Sequence, residues 1–338
     1  MKKKILATLM AAVLALGLSA CGSSSTTSTA STSAATSEAT SGTTTEGNVN
    51  TTDGTFTVEG VATGDEANKY SENNTPSEAL QKIRDKGVLV VGSSGDSYAY
   101  IDNKTGEFSG IDAKIIMEVA KRLGIPKVEM KLIKFSELII NLNENNIDMI
   151  TDGMYQREDR GKQVYFGDIW YTQGGALVVP EDSKIDGQDT FDPSSTVVGY
   201  TPGTAWQTRV EQWASDGLIK EARATGDQSS SLTALQYGKI DAFLTDSTIV
   251  EDMMARTPEA FKGLKLAENY KDTDAEVGYI APSVSFDNIA FMKEVNNAIE
   301  AMRSEGFIDQ AMKDCNLNPE LHQVPEDRYK STVNTREE

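Results

Sequence analysis

The sequence predicts an α/β fold that is built as two lobes. Strand and helix patterns alternate from residue 75 to residue 150, and the same alternation starts again near residue 197. Such alternation is typical of parallel or mixed sheets with helices on both faces. Two extended segments, residues 171–179 and residues 276–281, separate the two sets of elements. Two connectors indicate that the second lobe is inserted between the two parts of the first.

The first set of elements begins at residues 75–78, whose Thr-Pro-Ser-Glu sequence offers an N-cap hydroxyl, a proline at the first helical position and a glutamate for a capping box. Gly87 ends this predicted helix. Residues 88–91 are all apolar, as in a strand that is buried on both faces. Apolar residues at helical spacing then predict a helix from Ile115 to Gly124. The same patterns predict strands at 128–133 and 147–150 and a helix at 136–145.

The second set of elements predicts a further lobe and two closing helices. Its strands are expected at 197–200 and 242–244, and its helices at 204–214, 231–237, 247–255, 286–304 and 307–314. We therefore expect a first lobe of residues 75–172 plus 280–321 and a second lobe of residues 173–279, followed by a C-terminal tail of residues 322–338.

The N-terminus has the pattern of an export signal. Three lysines precede an apolar run at residues 5–18, which is too short to span a membrane. The run ends in Leu-Ser-Ala-Cys at residues 18–21, which looks like the bacterial lipobox. We expect residues 1–20 to be a lipoprotein signal peptide and Cys21 to be lipidated. The alternative is an ordinary secretory signal that contains a cysteine.

Residues 21–74 are rich in Ser, Thr, Gly and Asn and contain few large apolar residues. A segment of this composition cannot bury enough apolar surface to offset its chain entropy. It is therefore predicted to be a disordered tether that holds the folded part away from the membrane. Within it, residues 55–58 (Thr-Phe-Thr-Val) could form only an isolated strand.

Composition argues against several classes of function. The formal net charge of −19 becomes −22 when the three lysines of the signal are removed, which disfavours nucleic acid and adsorption to anionic lipid. Cys21 and Cys315 are the only cysteines, so lipidation of Cys21 leaves no internal disulfide. His322 is the only histidine, which disfavours a His-based triad or a His-rich metal site. The sequence has no Gly-rich phosphate loop, so we expect no cofactor and no metal.

Residues 147–160 carry the most specific pattern of the chain, Ile-Asp-Met-Ile-Thr-Asp-Gly-Met-Tyr-Gln-Arg-Glu-Asp-Arg. The chain here resembles the extracellular solute-binding proteins of family 3, which serve ABC importers of amino acids and related zwitterions. Further matching segments follow in the family's order across roughly residues 78–316, at 87–92, 106–112, 148–166, 198–204 and 238–246. The resemblance implies a two-lobed fold of the type II periplasmic-binding-protein class, with two crossover strands as the hinge.

The resemblance also implies a set of ligand-binding residues in the first lobe. Arg160 occupies the position where the family grips the ligand carboxylate, and a planar guanidinium suits two carboxylate oxygens. The alternative is a surface arginine, which is our interpretation of Arg157. The turn formed by Asp152, Gly153 and Tyr155 lies where the family uses main-chain groups to contact the ligand.

In the second lobe, residues 200–205 end a strand and open a helix, so Gly203, Thr204 and Ala205 can present free N–H groups to a carboxylate. Thr204 could instead simply cap its own helix. Asp246 follows the strand at 242–244, and in the family this position takes the ligand's α-ammonium. The alternative for Asp246 is an N-cap of the next helix.

Several aromatic residues distinguish this chain from the plain amino-acid-binding pattern. Asp96, Tyr98, Tyr100 and Phe135 add to the first-lobe side of the cleft, and Tyr155 stands where many members have a small polar residue. Converging rings can sandwich a flat or cationic group. Members that bind ectoine-like solutes have aromatics at positions similar to Phe135 and Tyr155, so a cyclic or alkylated zwitterion is one expectation. The other is that the rings are packing residues.

These observations predict a binding protein rather than an enzyme. We expect a monomer that captures a small zwitterion, an amino acid or an ectoine- or betaine-like compound, by hinge closure and delivers it to ABC permease subunits. It is expected on the outer face of the cell membrane or in the periplasm, attached only by its lipid. One alternative is a dehydratase-type enzyme on the same scaffold, which without a cleft histidine needs acid–base carboxyl groups. The other is the sensing part of a receptor, which usually needs a spanning helix.

Overall fold

The computed structural model describes residues 53–272 and 277–335. The predicted signal peptide, Cys21 and the tether up to residue 52 lie outside the described residues. Within the two described ranges, no helix is both long enough and apolar enough to cross a membrane.

The described strands are short and distributed along the whole described chain. They are β1 Gly54–Thr57, β2 Leu89–Ser93, β3 Tyr100–Ile101, β4 Phe108–Ser109, β5 Lys127–Leu132, β6 Met149–Ile150, β7 Tyr165–Phe166, β8 Tyr171–Gln173, β9 Gly175–Pro180, β10 Val197–Tyr200, β11 Glu221–Ala224, β12 Ala242–Asp246, β13 Leu264–Leu266, β14 Gly278–Ile280 and β15 Ser283–Val284.

The described α-helices alternate with these strands. They are α1 Asp65–Asn68, α2 Glu78–Lys86, α3 Ile111–Arg122, α4 Leu138–Asn143, α5 Glu158–Gly161, α6 Ala205–Ser215, α7 Gln228–Gln236, α8 Ser247–Arg256, α9 Ile289–Ser304, α10 Phe307–Asp314 and α11 Pro319–His322.

Two mixed sheets form the two lobes. The first has the order β1-β5-β2-β6-β15-β7, with β2 parallel to β5 and β6 and with β1 and β15 antiparallel to their neighbours. The second has the order β11-β10-β12-β9-β13, with β10 parallel to β11 and β12. β8 and β14 pair with each other, antiparallel, between the two sheets. The predicted α/β class with two crossover strands is confirmed.

The apolar core follows from the burial of the central strands. Leu89 and Val91 of β2 are fully buried and belong to one core cluster with Ile115 of α3 and Val295 of α9. A separate cluster in the second lobe contains Phe243 of β12. Because β2 and β12 are covered on both faces, each begins with an apolar run, residues 89–91 in β2 and residues 242–244 in β12. The strand ends, where polar residues follow, point towards the junction of the lobes.

The folded part begins earlier than predicted. β1 pairs with β5 from Gly54↔Met130 to Thr57↔Lys127, and Val58, which follows β1, is buried. Tyr70 is also buried in the main core cluster. The predicted tether therefore ends before Gly54, not at residue 74. A four-residue strand gives too short a pattern to be recognised, and only its pairing with the edge of the sheet stabilises it.

The predicted C-terminal tail also belongs to the folded part. His322 and Val324 are buried, and the guanidinium of Arg303 lies 3.8 Å from the ring centroid of Tyr329. The N–H of Ile169 donates to the carbonyl of Tyr329 at 2.8 Å. This segment has little regular secondary structure, so periodicity carries no signal for it, and its order comes from contacts with the first lobe.

The first predicted helix starts two residues later than expected. Ser77, not Thr75, is the N-cap of α2, and its hydroxyl accepts from the N–H of Leu80 at 3.1 Å. The same hydroxyl donates to Glu294 of α9 at 2.6 Å. Gly87 ends the helix as predicted, in the left-handed region at φ 75°. A glutamate of a distant helix therefore holds the hydroxyl that caps α2.

Candidate functional site

A buried carboxylate lies where the two lobes meet. Asp246 is the last residue of β12 and is 6% exposed. Its Oδ1 accepts hydrogen bonds from the Tyr155 hydroxyl at 2.8 Å, from Gln173 Nε2 at 2.9 Å and from Trp206 Nε1 at 2.7 Å. Tyr155 comes from the first lobe, Gln173 from the crossover strand β8 and Trp206 from the second lobe. Asp246 thus joins three parts of the chain.

Burial changes the acidity of this carboxylate. It raises the pKa of Asp246 to about 6, although hydrogen bonds from Trp206 and Tyr155 and the charge of Arg160 act in the opposite direction. The carboxylate is therefore ionised at neutral pH and becomes protonated in mildly acidic solution. A neighbouring cation such as an ammonium group would favour the ionised form.

Gln173 is oriented by two hydroxyl groups. Its Oε1 accepts from Thr248 Oγ1 at 2.6 Å and from the Tyr98 hydroxyl, which itself lies 2.7 Å from Thr248 Oγ1. Since the amide oxygen is used in this way, the amide nitrogen faces Asp246. Tyr98, Gln173 and Thr248 therefore form a hydrogen-bonded chain that ends at the carboxylate.

Arg160 provides the opposite charge at the same junction. It lies in α5, is 5% exposed, and donates from Nη1 to the carbonyl of Tyr155 at 2.9 Å and from Nη2 to the carbonyl of Gly203 at 2.7 Å. Its guanidinium carbon is 5.4 Å from the ring centroid of Phe135. Burial and the charge of Arg157 lower the pKa of Arg160 to about 10, so the side chain remains a cation at neutral pH.

Arg160 and Asp246 are linked through one residue. The carbonyl of Tyr155 accepts from Arg160, and the hydroxyl of Tyr155 donates to Asp246. The arrangement places a cation and an anion on either side of a tyrosine between the lobes. Such a pair complements a small molecule that carries both an anionic and a cationic group. A ligand carboxylate would form stronger, charge-assisted hydrogen bonds with Arg160 than neutral carbonyls do.

The turn before α6 approaches the first lobe closely. Gly203 has φ 83°, and a Cβ atom at this position would lie 3.0 Å from the Cα of Ser136. Glycine is thus needed both for the backbone conformation and for the approach of the two lobes.

We expect the variant Gly203→Ala to lose about 1 kcal/mol of folding stability from the left-handed conformation and to weaken ligand binding roughly tenfold by obstructing closure. Gly217→Ala is the matched control, because Gly217 has φ 70° and open space around its Cα. Both variants should unfold at lower denaturant concentration, and only Gly203→Ala should lose affinity in calorimetric titration. Equal affinities for the two variants would contradict a closure role for this turn.

Thr204 and Ala205 stand at the start of α6, where the sequence predicts a helix to open. The Thr204 hydroxyl donates to the carbonyl of Thr201 at 2.7 Å and makes no side-chain cap of α6, so the capping alternative is not realised. Ala205 is the first residue of α6. The N–H of Gly203 donates to Gln207 Oε1 at 2.8 Å. In this structure the side-chain amide oxygen of Gln207 accepts from one N–H group of the turn, so this donor is already paired.

Asp152 and Gly153 shape the turn in front of Arg160. Asp152 is fully buried and accepts from the Ser93 hydroxyl at 2.7 Å and from the N–H of Ser94 at 2.9 Å. The N–H of Gly153 donates to Asp112 at 2.8 Å. The structure thus uses the Asp152 side chain and the Gly153 N–H to hold the turn together, and it places neither of them in the Asp246 cluster.

Asp96 and Tyr100 also lie outside that cluster. Asp96 accepts from the Ser94 hydroxyl at 3.0 Å and from the N–H of Tyr98 at 3.1 Å. Burial and the charge of Asp152 raise its pKa well above the usual value. The ring centroid of Tyr100 is 4.0 Å from the guanidinium carbon of Arg256 in α8. Tyr98, not Tyr100, therefore reaches the junction at Asp246, and Tyr100 forms a separate contact between the lobes.

Two buried carboxyl groups next to the site predict a pH dependence of stability. Burial raises the pKa of Asp112 and of Asp152 to about 7. An unfolded chain titrates these groups near pH 4, so the folded state binds more protons between about pH 4 and pH 7. Their contribution to stability therefore falls as pH rises through this range.

We expect Asp112→Asn, which stays neutral, to gain stability relative to the wild type between pH 5 and pH 8, by on the order of 2 kcal/mol. Urea unfolding at the two pH values measures this difference. Asp216→Asn is the control, since Asp216 is exposed and should show no such trend. A difference in unfolding free energy between Asp112→Asn and the wild type that does not change from pH 5 to pH 8 would contradict a pKa of about 7 for Asp112.

Comparison with known proteins agrees with this geometry. Residues 89–314 match the family model of the bacterial extracellular solute-binding proteins, family 3. This chain belongs to that family. The fold is likewise shared with the solved L-cysteine solute receptor of Neisseria gonorrhoeae, with a TM-score of 0.64 and 21% identity over 73% of this chain and 99% of that chain.

Two curated members of the family are similar along much of their length. The glutamine-binding protein of Geobacillus stearothermophilus is 29% identical over 194 residues, which are 56% of this chain and 72% of that protein. The ABC transporter glutamine-binding protein GlnH of Bacillus subtilis is 27% identical over 252 residues, 73% of this chain and 86% of that protein. Both are named as binding proteins, not as enzymes.

Sequence reasoning missed three residues of the cluster. Gln173 ends β8, Trp206 is the second residue of α6, and Thr248 lies in the first turn of α8. Trp206 and Thr248 lie in the first turns of predicted helices, and Gln173 lies within the extended segment predicted at residues 171–179, so position in these elements is the one signal that could have pointed to them. Their side chains meet only because the crossover strands bring the two lobes together.

Proposed function

We propose that this protein captures an amino acid between its two lobes and delivers it to the permease subunits of an ABC importer. The observation that carries the proposal is the pairing of buried Arg160 and Asp246 on the two ends of Tyr155, at the junction of the lobes. Membership of the family and the names of its amino-acid-binding relatives support the same function.

In this proposal the two charged residues hold the two charged groups of the ligand. The α-carboxylate binds Arg160, whose present acceptors are neutral carbonyl oxygens. The α-ammonium binds Asp246, a strong acceptor whose present donors are neutral groups of Tyr155, Gln173 and Trp206. Since Arg160 also reaches Gly203 of the second lobe, ligand contacts and closure involve the same side chain.

An α-amino acid fits the contacts better than a quaternary betaine does. Asp246 is surrounded by N–H and O–H donors, and a quaternary ammonium has no N–H with which to replace them. The rings that suggested an aromatic sandwich have protein partners, because Phe135 lies on Arg160 and Tyr100 on Arg256. An ectoine- or betaine-like ligand is therefore the second candidate.

The surroundings of the half-buried Asp96 indicate which side chain the ligand carries. The charges of Asp152 and Asp246 both help to raise the pKa of this carboxyl group, so it lies near two other acidic side chains. A ligand side chain that donates hydrogen bonds or carries positive charge would reduce the repulsion among these groups. We therefore propose an amide- or cation-bearing amino acid, such as glutamine or arginine, before an acidic one.

A thermal-shift screen tests the proposed function. A ligand that binds the folded state raises the melting temperature, and the rise grows with the ratio of the ligand concentration to Kd. The screen should contain the common amino acids, ectoine, glycine betaine and polyamines, and calorimetry should follow each hit. We expect a shift with at least one α-amino acid. A shift only with betaine or ectoine would transfer the proposal to the second candidate.

The dehydratase alternative is tested on the same samples. An amino acid recovered chemically unchanged after prolonged incubation, as measured by mass spectrometry, supports a binding protein. Formation of a dehydrated product would instead establish the enzyme.

We further propose that Cys21 is lipidated and that the mature protein is a monomer outside the cytoplasm. The lipobox-like sequence at residues 18–21 supports lipidation. Labelling bacteria with an alkyne fatty acid should mark the wild-type protein and not Cys21→Ser. Equal labelling of both proteins would reject this site.

A further inference from the structure

The last described residues of the chain run along the first lobe next to Arg160. We call residues 323–335 the C-terminal strap; they lie beyond the family match, which ends at residue 314. Asn334 forms two reciprocal bonds with Phe166, accepting from its N–H at 2.9 Å and donating to its carbonyl at 3.0 Å. Phe166 belongs to β7, the edge strand of the first sheet. The side-chain amide of Asn334 thus takes the place of a neighbouring strand.

The strap also contacts α5, the helix that carries Arg160. The Thr335 hydroxyl donates to the carbonyl of Gly161 at 3.2 Å. A Cβ atom at Gly161 would lie 2.0 Å from the carbonyl oxygen of Val333, so glycine is required by this close approach. Gly161 directly follows Arg160 in the chain, and both residues are buried.

At its other end the strap meets the crossover strand β8. The Thr172 hydroxyl donates to the carbonyl of Gln323 at 3.3 Å, and His322, just before the strap, has its Nδ1 2.8 Å from the carbonyl of Thr172. Between the two ends, the carbonyl of Tyr329 accepts from Ile169. The strap therefore connects the crossover region with α5.

We propose that the C-terminal strap is a positioning element for Arg160. A helix of four residues has too few internal hydrogen bonds to be stable by itself, so its place depends on tertiary contacts. The strap supplies such contacts where Thr335 and Val333 meet Gly161. Its effect on affinity rests on the proposed role of Arg160 in holding the ligand carboxylate, whereas its effect on α5 does not.

Hydrogen–deuterium exchange of the full chain without added ligand tests the contact itself. Asn334→Ala and Gly161→Ala should each raise the exchange rate of the amides in residues 160–166 at least about tenfold. Lys330→Ala is the matched control, because Lys330 is a strap residue that pairs with Asp168 and does not contact α5. Unchanged exchange in both variants, or an equal rise in the control, would overturn the proposal.

Calorimetry with L-glutamine as the probe separates positioning from a general structural role. Asn334→Ala should weaken binding about tenfold in the wild type and less than twofold in an Arg160→Ala background, because the lost positioning acts through Arg160. An equal loss in both backgrounds would show that the strap acts elsewhere and would overturn the proposal. If L-glutamine does not bind the wild type, the proposed ligand fails, and the exchange measurement still decides the role of the strap.

Discussion

Replacing Arg160 with alanine is expected to weaken amino-acid binding by at least about tenfold. A hydrogen bond to a charged group contributes roughly 1.5–3 kcal/mol, which corresponds to about one to two orders of magnitude in Kd. The loss should be larger than this minimum, because Arg160 also donates to the carbonyl of Gly203 in the second lobe. Removing it therefore takes away a ligand contact and a contact between the lobes together.

Calorimetric titration of folded variants checks this expectation. Arg157→Ala is the matched control, since Arg157 lies three residues away and forms an ion pair with Asp159 near the surface. It should bind within about twofold of the wild type, as expected for a partly exposed pair. Arg160→Lys should recover only part of the affinity, because an ammonium lacks the planar pair of donors. Near-native affinity of Arg160→Ala would reject the assignment.

Replacing Asp246 with asparagine is expected to weaken binding by about 2–5 kcal/mol, roughly thirtyfold or more, because a bound ammonium loses its counter-charge in a buried place. The asparagine keeps one oxygen that can accept from Tyr155 and Trp206, so the fold should persist. Asp216→Asn, an exposed position in the second lobe, should leave the affinity unchanged.

The same residue predicts how affinity depends on pH. The pKa of Asp246 is raised to about 6 in the structure, and a bound ammonium would lower it. Binding below pH 6 therefore requires loss of a proton, and wild-type affinity should fall by up to about tenfold per pH unit as the pH decreases from 6 to 5. Asp246→Asn should lack this decrease. A pH-independent wild-type affinity between pH 5 and pH 7 would contradict the role of Asp246.

Both charged residues make contacts that cross between the lobes, and in the proposed function these contacts connect ligand binding to closure. Tyr155 of the first lobe reaches Asp246 of the second, and Arg160 of the first reaches Gly203 of the second. A ligand that contacts both charges gains more free energy in the closed arrangement than in an open one. This difference is what shifts a conformational equilibrium. The Gly203 and Arg160 variants should therefore affect closure as well as affinity.

Local patterns predicted the longer elements well. The apolar run that became β2 and the helical spacing that became α3 lie within one or a few residues of their predicted positions, as do α9 and α10. These elements bury a regular face, so their periodicity is visible in the chain. β1 has only four residues, none of them fully buried, and the C-terminal strap has little regular secondary structure, so neither contains a pattern long enough to be recognised.

The residues of the candidate site also fall into two groups, those that the sequence pointed to and those that only the tertiary structure brought together. The resemblance to the family implied ligand-binding roles for Arg160 and Asp246, and the structure places both residues, buried, at the junction of the lobes. The partners of Asp246 were not predictable in this way. Gln173 and Trp206 are 73 and 40 residues from Asp246 along the chain, and only the crossing of the lobes brings them within hydrogen-bond distance.

The amino-acid sequence by itself determined the family and the two-lobed α/β class, because contiguous motifs and local periodicity carry them. The ligand-binding roles of Arg160 and Asp246 were implied by the resemblance to that family and stay predictions. The tertiary structure alone decided that Tyr98 rather than Tyr100 reaches the cluster around Asp246, that Asp152 holds a turn, and that the end of the chain contacts α5. These outcomes depend on where backbones approach one another and which polar groups remain to be paired once the core has packed.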